Sequence, residues 1–256
     1  MESNNNVNNN VDNNDDNNED NKSESDILIY ILYHNQESYI MATKFLKFKW
    51  AKLRKIYSTK YFESIVFLYL DKNRDEWINK KFVGFLTYNS YTKMMLFDIE
   101  YLVNKYSDYD LIAFNNNYNK PLLIQAESVH PSFINIWEQI LLLLNYDIND
   151  ILSLKMPLFY NNYWMAKPSW LSKYIEFYKN ILYIMENNKN IKYLLYKNSK
   201  YTGKLLEYPE ILIKICGRPY YTFHPFIIER LPCFFFWAHK AKIHQAKYNT
   251  DKFLNF

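Results

Sequence analysis

Three short runs of β-branched and aromatic residues alternate with longer segments of helical periodicity, and this alternation restricts the chain to few folds. The runs lie at residues 27–35, 81–88 and 109–114. Apolar residues recur at helical spacing in segments at residues 59–73, 130–145, 167–188 and 208–217, and a last helix beginning at Pro225 is broken by Pro232. Strands separated by helices predict an α/β fold, with a mixed sheet flanked by helices.

The two ends of the chain differ in composition from this body. Residues 1–26 are rich in Asn and acidic residues and poor in large apolar ones, which predicts a disordered tail. They hold eight acids and one Lys, so removing their charge of −7 from the total of +4 leaves +11 for the rest. We predict one domain over residues 27–243 and a basic C-terminal tail over 244–256. The basic balance fits a protein that handles anions, and a codon bias towards Lys explains it equally well.

Composition argues against several classes of function. The chain has only three glycines and neither a GxGxxG nor a GxxxxGK[ST] motif, which disfavours Rossmann and P-loop nucleotide binding. Cys216 and Cys233 lack histidines at ligand spacing, which predicts buried free thiols. The apolar runs are too short to span a bilayer, and the acidic start is not a signal peptide. We therefore expect a cytoplasmic protein without a membrane span.

Polar residues follow the first two predicted strands. His34 and Asn35 end the first strand, and Tyr88 and Asn89 end the second. In open α/β sheets ligands bind beyond the carboxyl ends of the strands, so these side chains are candidate ligand contacts. The alternative is an ordinary polar turn at each position.

Two aromatic segments precede predicted helices. Residues 159–170 contain Asn161, Asn162, Trp164 and Lys167, a set suited to stacking on rings and to binding hydroxyl groups. Residues 217–226 contain Arg218, which can bind a diphosphate, and His224 near a helix N-terminus. The alternative for the first segment is a loop whose aromatic side chains fill the core.

The pair Asp108 and Asp110 is a candidate site for Mn²⁺ or Mg²⁺, because carboxylates two residues apart on an extended segment can share a cation. Here, however, the apolar strand follows the acids instead of preceding them. We therefore predict that the pair starts a strand at the far edge of the sheet and binds no metal.

Glu229 and Arg230 stand side by side in the apolar sequence HPFIIERLPCFFFWAH. Such residues are rarely buried unless they are paired or functional. Adjacent helical residues point about 100° apart, so only one of them can face a given pocket. We predict that Glu229 faces a cleft near Arg218 and His224, and that Arg230 pairs with a carboxylate elsewhere. The alternative is that both are structural.

Four segments resemble the GT-A-like glycosyltransferases of bacterial capsular-polysaccharide gene clusters and of giant DNA viruses. These are IYILYHN, KYFESIVFLYL with the following EWINKKFVGFLTYNSY, YNNYWMAKPSWLSKYIEF and FHPFIIERL. The resemblance implies a cytoplasmic enzyme that moves a sugar from a nucleotide-diphosphate donor to a hydroxyl of a glycan or protein. It leaves a requirement for Mn²⁺ or Mg²⁺ open.

Roles for the candidate residues follow from that resemblance. Glu229 would be the catalytic base, and the donor would contact His34, Asn35, Tyr88, Asn89, Arg218 and His224. The sugar and acceptor would contact Asn161, Asn162, Trp164 and Lys167.

The chain departs from the family after the second strand, where TYNS (residues 87–90) replaces a His-Tyr-Arg-Arg-like segment. The contact with the donor phosphate then falls to Arg218 or Lys167. The departure supports a second hypothesis, in which the protein keeps the fold and has a binding or structural role but no longer catalyses sugar transfer. A third, nucleic-acid binding through the basic body and residues 239–252, lacks a recognised motif, and we do not expect nucleic acid as a partner.

Overall fold

The computed structural model describes residues 25–93, 96–114, 121–147, 156–159 and 163–254. The strands are β1 (Ile27–Tyr33), β2 (Ala51–Lys55), β3 (Phe82–Thr87), β4 (Leu111–Ala113), β5 (Trp164–Ala166) and β6 (Ile243–Gln245). The α-helices are α1 (Gln36–Thr43), α2 (Val66–Lys72), α3 (Ser90–Lys93), α4 (Ile99–Lys105), α5 (Leu122–Val129), α6 (Phe133–Leu143), α7 (Pro168–Asn187), α8 (Lys189–Leu195), α9 (Pro209–Cys216), α10 (His224–Ile228) and α11 (Leu231–Ala238). Turns of 3-10 helix occupy Lys44–Lys47, Phe62–Ile65, Arg74–Glu76 and Lys204–Glu207.

The strands form one mixed sheet in the order β2-β1-β3-β5-β4-β6. Neighbouring strands pair in parallel, except that β5 is antiparallel to both β3 and β4. The carboxyl ends of β1, β2, β3, β4 and β6 therefore lie at one edge of the sheet, and the amino end of β5 joins them there. The predicted α/β class with a mixed sheet is confirmed.

The three predicted strands are present as β1, β3 and β4, whereas β2, β5 and β6 were not predicted. β2 has the sequence AKLRK, and its exposed lysines reflect its position at the edge of the sheet. β5 and β6 contain three residues each, too few for a period-two pattern to appear.

Helices cover both faces of the sheet. On one face, α2, α7 and α11 enclose a core in which the rings of Phe67 and Trp164 stack at 5.8 Å and Tyr174 and Phe236 stack at 5.8 Å. On the other face, Phe45, Trp50 and Phe97 pack with α4 against the opposite side chains of β1 and β3. This two-layer cover explains why β1 and β3 are apolar on both faces.

Gly84 in β3 leaves no space for a side chain. A β-carbon at this position would lie 2.5 Å from Cβ of Met165 and 2.7 Å from the carbonyl oxygen of Trp164. The close approach of β5 to β3 therefore depends on a glycine in the middle of β3.

The predicted tail ends two residues earlier than expected. The backbone N–H of Lys81 donates to the carbonyl of Asp26 at 2.6 Å, and Lys80 Nζ donates to the carbonyl of Ser25 at 3.0 Å. Residues 25 and 26 therefore belong to the folded domain. Residues 1–24, for which disorder was predicted, lie outside the described residues.

Removing residues 1–24 is expected to leave the melting temperature within about 1 °C, because the segment has few apolar side chains to bury. Removing residues 1–26 deletes these two hydrogen bonds and a third, from the backbone N–H of Ile27 to Ser25 Oγ at 3.2 Å, each of about 1 kcal/mol, and should lower the melting temperature by several degrees. Differential scanning fluorimetry of both truncations measures the difference. A large drop on removal of 1–24 alone would show that the segment docks on the domain.

The prediction of a C-terminal tail over residues 244–256 is wrong for the part of the segment that the structure describes. β6 pairs in parallel with β4, and the ring of Phe253 stacks on Phe97 at 4.9 Å. The buried carboxylate of Asp251 accepts hydrogen bonds from Tyr106 Oη at 2.7 Å and from the backbone N–H of Lys247 at 2.9 Å. These ring contacts and hydrogen bonds attach the described part of this segment to the domain.

Candidate functional site

The clearest pocket lies beyond the carboxyl ends of β1 and β2. It has a volume of about 320 Å³. Its lining comprises His34, Asn35, Ile56, Tyr57, Ser58, Phe62, Glu63, Leu205, Ile211 and Ile215. The first two were predicted from the position of the strand end. The wall opposite the strands comes from the 3-10 turn before α9 and from α9 itself, so the pocket is polar at the sheet and apolar at the helix.

His34 and Asn35 have different surroundings at the end of β1. The His34 side chain is exposed, and its ring contacts the ring of Tyr88 edge-on at 5.3 Å. Asn35 is the N-cap of α1, and its Oδ1 accepts a hydrogen bond from the backbone N–H of Ser38 at 2.8 Å. Because the cap occupies Oδ1, a ligand would meet the amide hydrogens of Asn35.

The end of β3 is closed by hydroxyl groups. Thr87 Oγ1 lies 2.9 Å from Tyr163 Oη and donates to Asn89 Oδ1 at 3.0 Å. Ser90 Oγ donates to the carbonyl of Thr87 at 2.6 Å. Burial raises the pKa of Tyr163 to about 12, so it stays a neutral hydrogen-bonding group. Tyr163 was not predicted, because only the pairing of β5 with β3 brings it to this edge.

Glu229 lies in the junction between α10 and α11, where the predicted break before Pro232 occurs. One quarter of its side chain is exposed, with a relative accessibility of 25%. Burial of the carboxyl group raises its pKa to about 7; Arg230 acts in the opposite direction, and Glu63 adds to the rise. Glu63 is part of the pocket lining, whereas Glu229 interacts with it electrostatically and is not itself among the lining residues. Lys93 also acts on Glu229 and lowers its pKa.

Arg230 points into the protein instead. Its side chain is 4% exposed, and its guanidinium donates to the carbonyl of Phe226 at 2.9 Å and to Gln125 Oε1 at 3.0 Å. The guanidinium also lies over the ring of Phe133 at 5.1 Å, and Nη1 is 4.0 Å from the Glu229 carboxylate. The two residues thus have different surroundings, as predicted, and among the described residues Arg230 donates to an amide and to a carbonyl.

The structure does not bring His224 and Arg218 to the pocket lining. His224 is fully buried, its Nδ1 lies 3.0 Å from Thr222 Oγ1, and burial lowers its pKa to about 3. Arg218 is exposed, with its guanidinium 5.5 Å from the ring of Tyr196. None of the three residues of the predicted grouping, Glu229, Arg218 and His224, is among the residues that line this pocket. His224 is the first residue of α10, and the whole of this helix is buried, so its side chain has no access to solvent.

Trp164 and Lys167 lie away from the cleft for reasons that follow from β5. Trp164 is fully buried and packs against Phe67, Phe85 and Tyr174, so the alternative of a core aromatic is the correct one. Lys167 follows the carboxyl end of β5, at the opposite edge of the sheet, and its Nζ is 3.7 Å from Asp110 Oδ1. Asn161 and Asn162 lie outside the described residues.

Asp108 and Asp110 precede β4 at the edge opposite to the pocket, as predicted. Asp108 pairs with Lys242 Nζ, and Asp110 Oδ2 accepts a hydrogen bond from the backbone N–H of Lys242 at 2.8 Å. Both carboxylates already have cationic or N–H partners, so the pair does not fit a Mn²⁺ or Mg²⁺ site. Elsewhere in the described residues, no group of three His, Cys, Asp or Glu residues is arranged to hold a metal ion.

Replacing Asp108 and Asp110 together by Asn is expected to leave ligand binding at the pocket within about threefold of wild type, which corresponds to less than about 0.7 kcal/mol. The loss of stability should be small, because exposed ion pairs contribute little. Isothermal titration with and without Mn²⁺ tests this. A selective loss of Mn²⁺-dependent binding would restore the metal-site interpretation.

No protein-family model matches the chain, and no curated protein and no solved structure is significantly similar to it. Among the described residues, no helix is long and apolar enough to cross a membrane.

Proposed function

We propose that the protein is a glycosyltransferase that moves a sugar from a nucleotide-diphosphate donor to an acceptor hydroxyl, with Glu229 as the base. The observation that carries this proposal is a carboxylate whose pKa burial raises to about 7 and which interacts electrostatically with Glu63, a residue of the pocket beyond the carboxyl ends of β1 and β2. A base with a pKa near the working pH is effective in proton transfer. The position of the pocket agrees with the usual place of ligands in α/β sheets.

The residues around the cleft suit each part of such a reaction. The Glu229 carboxylate takes the proton of the acceptor hydroxyl, and the acceptor oxygen forms a bond to the anomeric carbon as the bond from that carbon to the diphosphate breaks. We assign the stabilisation of the leaving diphosphate, the role expected of Arg218, to the Lys93 ammonium, whose charge lowers the pKa of Glu229. His34, Tyr88 and the amide hydrogens of Asn35 provide contacts for the nucleotide.

One observation favours a binding protein without transfer as the second candidate. The polar groups of Thr87, Asn89, Ser90 and Tyr163 are hydrogen-bonded to one another at the end of β3. In this arrangement they satisfy each other's hydrogen bonds without a ligand. A protein of this kind would bind a nucleotide or a sugar in the pocket and leave it unchanged.

Thermal-shift measurements with a panel of UDP- and GDP-sugars, with and without Mn²⁺, test both candidates. A ligand at 100 times its dissociation constant adds about 2.7 kcal/mol of stability. Release of nucleotide diphosphate in the presence of acceptors then separates transfer from binding alone. If none of the donors shifts the melting temperature, both candidates are contradicted.

The pH dependence of transfer reports the role of the carboxylate. A base acts in its ionised form, so the rate should rise with pH and level off above about pH 7. Initial rates of transfer between pH 5 and pH 9 measure this rise. A rate that falls as the pH passes through 7 would identify Glu229 as a proton donor instead.

A further inference from the structure

The positive charge of the protein is concentrated in one segment. Residues 38–62 contain no acid and seven basic residues, which are Lys44, Lys47, Lys49, Lys52, Arg54, Lys55 and Lys60. The segment carries +7 of the +11 found in residues 27–256, so subtracting it leaves +4 for the rest of that body. A uniform excess of lysine along the chain does not produce this distribution.

The fold places this segment on one edge of the sheet and leads it into the pocket. The segment runs from α1 through the 3-10 turn Lys44–Lys47 into β2, which is the edge strand beside β1. Five of its lysines are exposed, namely Lys44, Lys47, Lys49, Lys52 and Lys55. At the carboxyl end of β2 the chain continues directly into Ile56, Tyr57 and Ser58, which line the pocket.

Several of these cations have little intramolecular neutralisation. Lys52 pairs with Glu76 at 3.0 Å and Lys60 with Glu186 at 2.5 Å. Lys44, Lys49 and Lys55 form no ion pair with a carboxylate among the described residues. We call residues 44–55, which include the 3-10 turn and β2 and contain these three lysines, the basic edge.

We propose that the basic edge binds a linear acidic glycan, which is the acceptor of the transfer reaction proposed above and on which this inference depends. Negatively charged polymers bind a row of exposed cations through their summed field. Lys52 and Lys55 lie on the edge strand, and Lys44 and Lys49 lie on the segment that leads into it, so the cations follow one another along a single edge of the sheet, which suits a linear polymer.

The composition of the basic edge also favours a glycan over a nucleic acid. Arg54 is its only arginine, and its guanidinium lies 3.1 Å above the ring of Tyr69. Bidentate reading of bases, which uses arginine, therefore has no evident donor there. Tyr57, 77% exposed at the mouth of the pocket, offers a ring face to the sugar that enters.

Binding of alginate oligosaccharides without donor tests the inference, with neutral dextran oligosaccharides of equal length as the ligand control. The variant Lys44→Gln/Lys49→Gln/Lys55→Gln should bind alginate at least about tenfold more weakly and with a shallower salt dependence. The matched control Lys173→Gln/Lys189→Gln/Lys197→Gln removes the same charge from exposed sites on α7, on α8 and just after α8, and should stay within about twofold of wild type.

Equal losses in both triple variants, or equal binding of dextran and alginate, would overturn the inference. Tighter binding of single-stranded DNA or of phosphatidylserine vesicles through the same three lysines would overturn the choice of a glycan. If the protein transfers sugar from a nucleotide-sugar to a small acceptor but does not bind alginate, this inference is refuted and the proposed function stands. Alginate binding in a protein that binds no nucleotide-sugar would instead refute the proposed function.

Discussion

Replacing Glu229 by Gln is expected to lower the rate of transfer by about 10²–10⁴-fold, because the amide cannot accept the acceptor proton. The same change should leave the fold intact. Unlike the loss of activity, its effect on stability can be measured without any substrate. Single-turnover rates and urea titrations of the wild type and the variant provide the two readouts.

The sign of the stability effect follows from the pKa. Folding raises the pKa of Glu229 from 4.5 to about 7, so the folded state favours the protonated carboxyl. The free energy of unfolding therefore contains a contribution from the protonated carboxyl that is fully present below about pH 4.5. This contribution is lost as the pH rises to about 7, by about 1.4 kcal/mol per pH unit. Gln cannot ionise. The variant should therefore match the wild type near pH 4.5 and be about 3 kcal/mol more stable at pH 8.

A matched control and a contrary outcome make this test decisive. Glu100→Gln changes an exposed acid on α4 and should alter neither the rate nor the pH dependence of stability. If Glu229 is instead a structural partner of Arg230, Glu229→Gln should destabilise the protein by about 3–5 kcal/mol. The separation of 4.0 Å between these two side chains argues for a weak pair.

Replacing Trp164 by Ala is expected to destabilise the protein by about 3–5 kcal/mol, because it empties a fully buried site between β3, α2 and α7. Urea unfolding followed by circular dichroism measures the change. Tyr57→Ala is the matched control, since its ring is 77% exposed and its loss should cost less than about 0.5 kcal/mol. A stable Trp164→Ala variant with weakened sugar binding would restore the predicted sugar-contact role.

Sequence reasoning located the parts of the site that depend on local pattern. His34 and Asn35, which line the pocket, follow an apolar run, and the proposed base Glu229 is an acid within one, so both signals are visible in a short stretch. Glu63 and Tyr163 could not be found in this way. Glu63 comes from a 3-10 turn against which α10 packs, and Tyr163 from the amino end of a three-residue strand. Their positions depend on contacts between segments that are distant in sequence.

The direction of β5 explains the main errors. Residues 159–170 have the composition of a ligand-binding loop, yet part of the segment is an antiparallel strand in the interior of the sheet. That strand carries Trp164 into the core and Lys167 to the edge opposite to the pocket. Composition alone cannot separate an aromatic residue that binds a ring from one that fills a core, because both roles need the same side chain.

The pairing of β4 with β6 also has a consequence for the kinetics of folding. Leu111 of β4 is paired in register with Ile243, so this contact closes a loop of more than one hundred residues. Contacts between residues so far apart in sequence form slowly, because the entropy of loop closure is lost before the contact is gained. During synthesis, the backbone N–H and C=O groups of β4 that pair with β6 therefore stay unpaired until β6 has been made. We expect this intermediate to be the species most prone to aggregation and the one on which chaperones act.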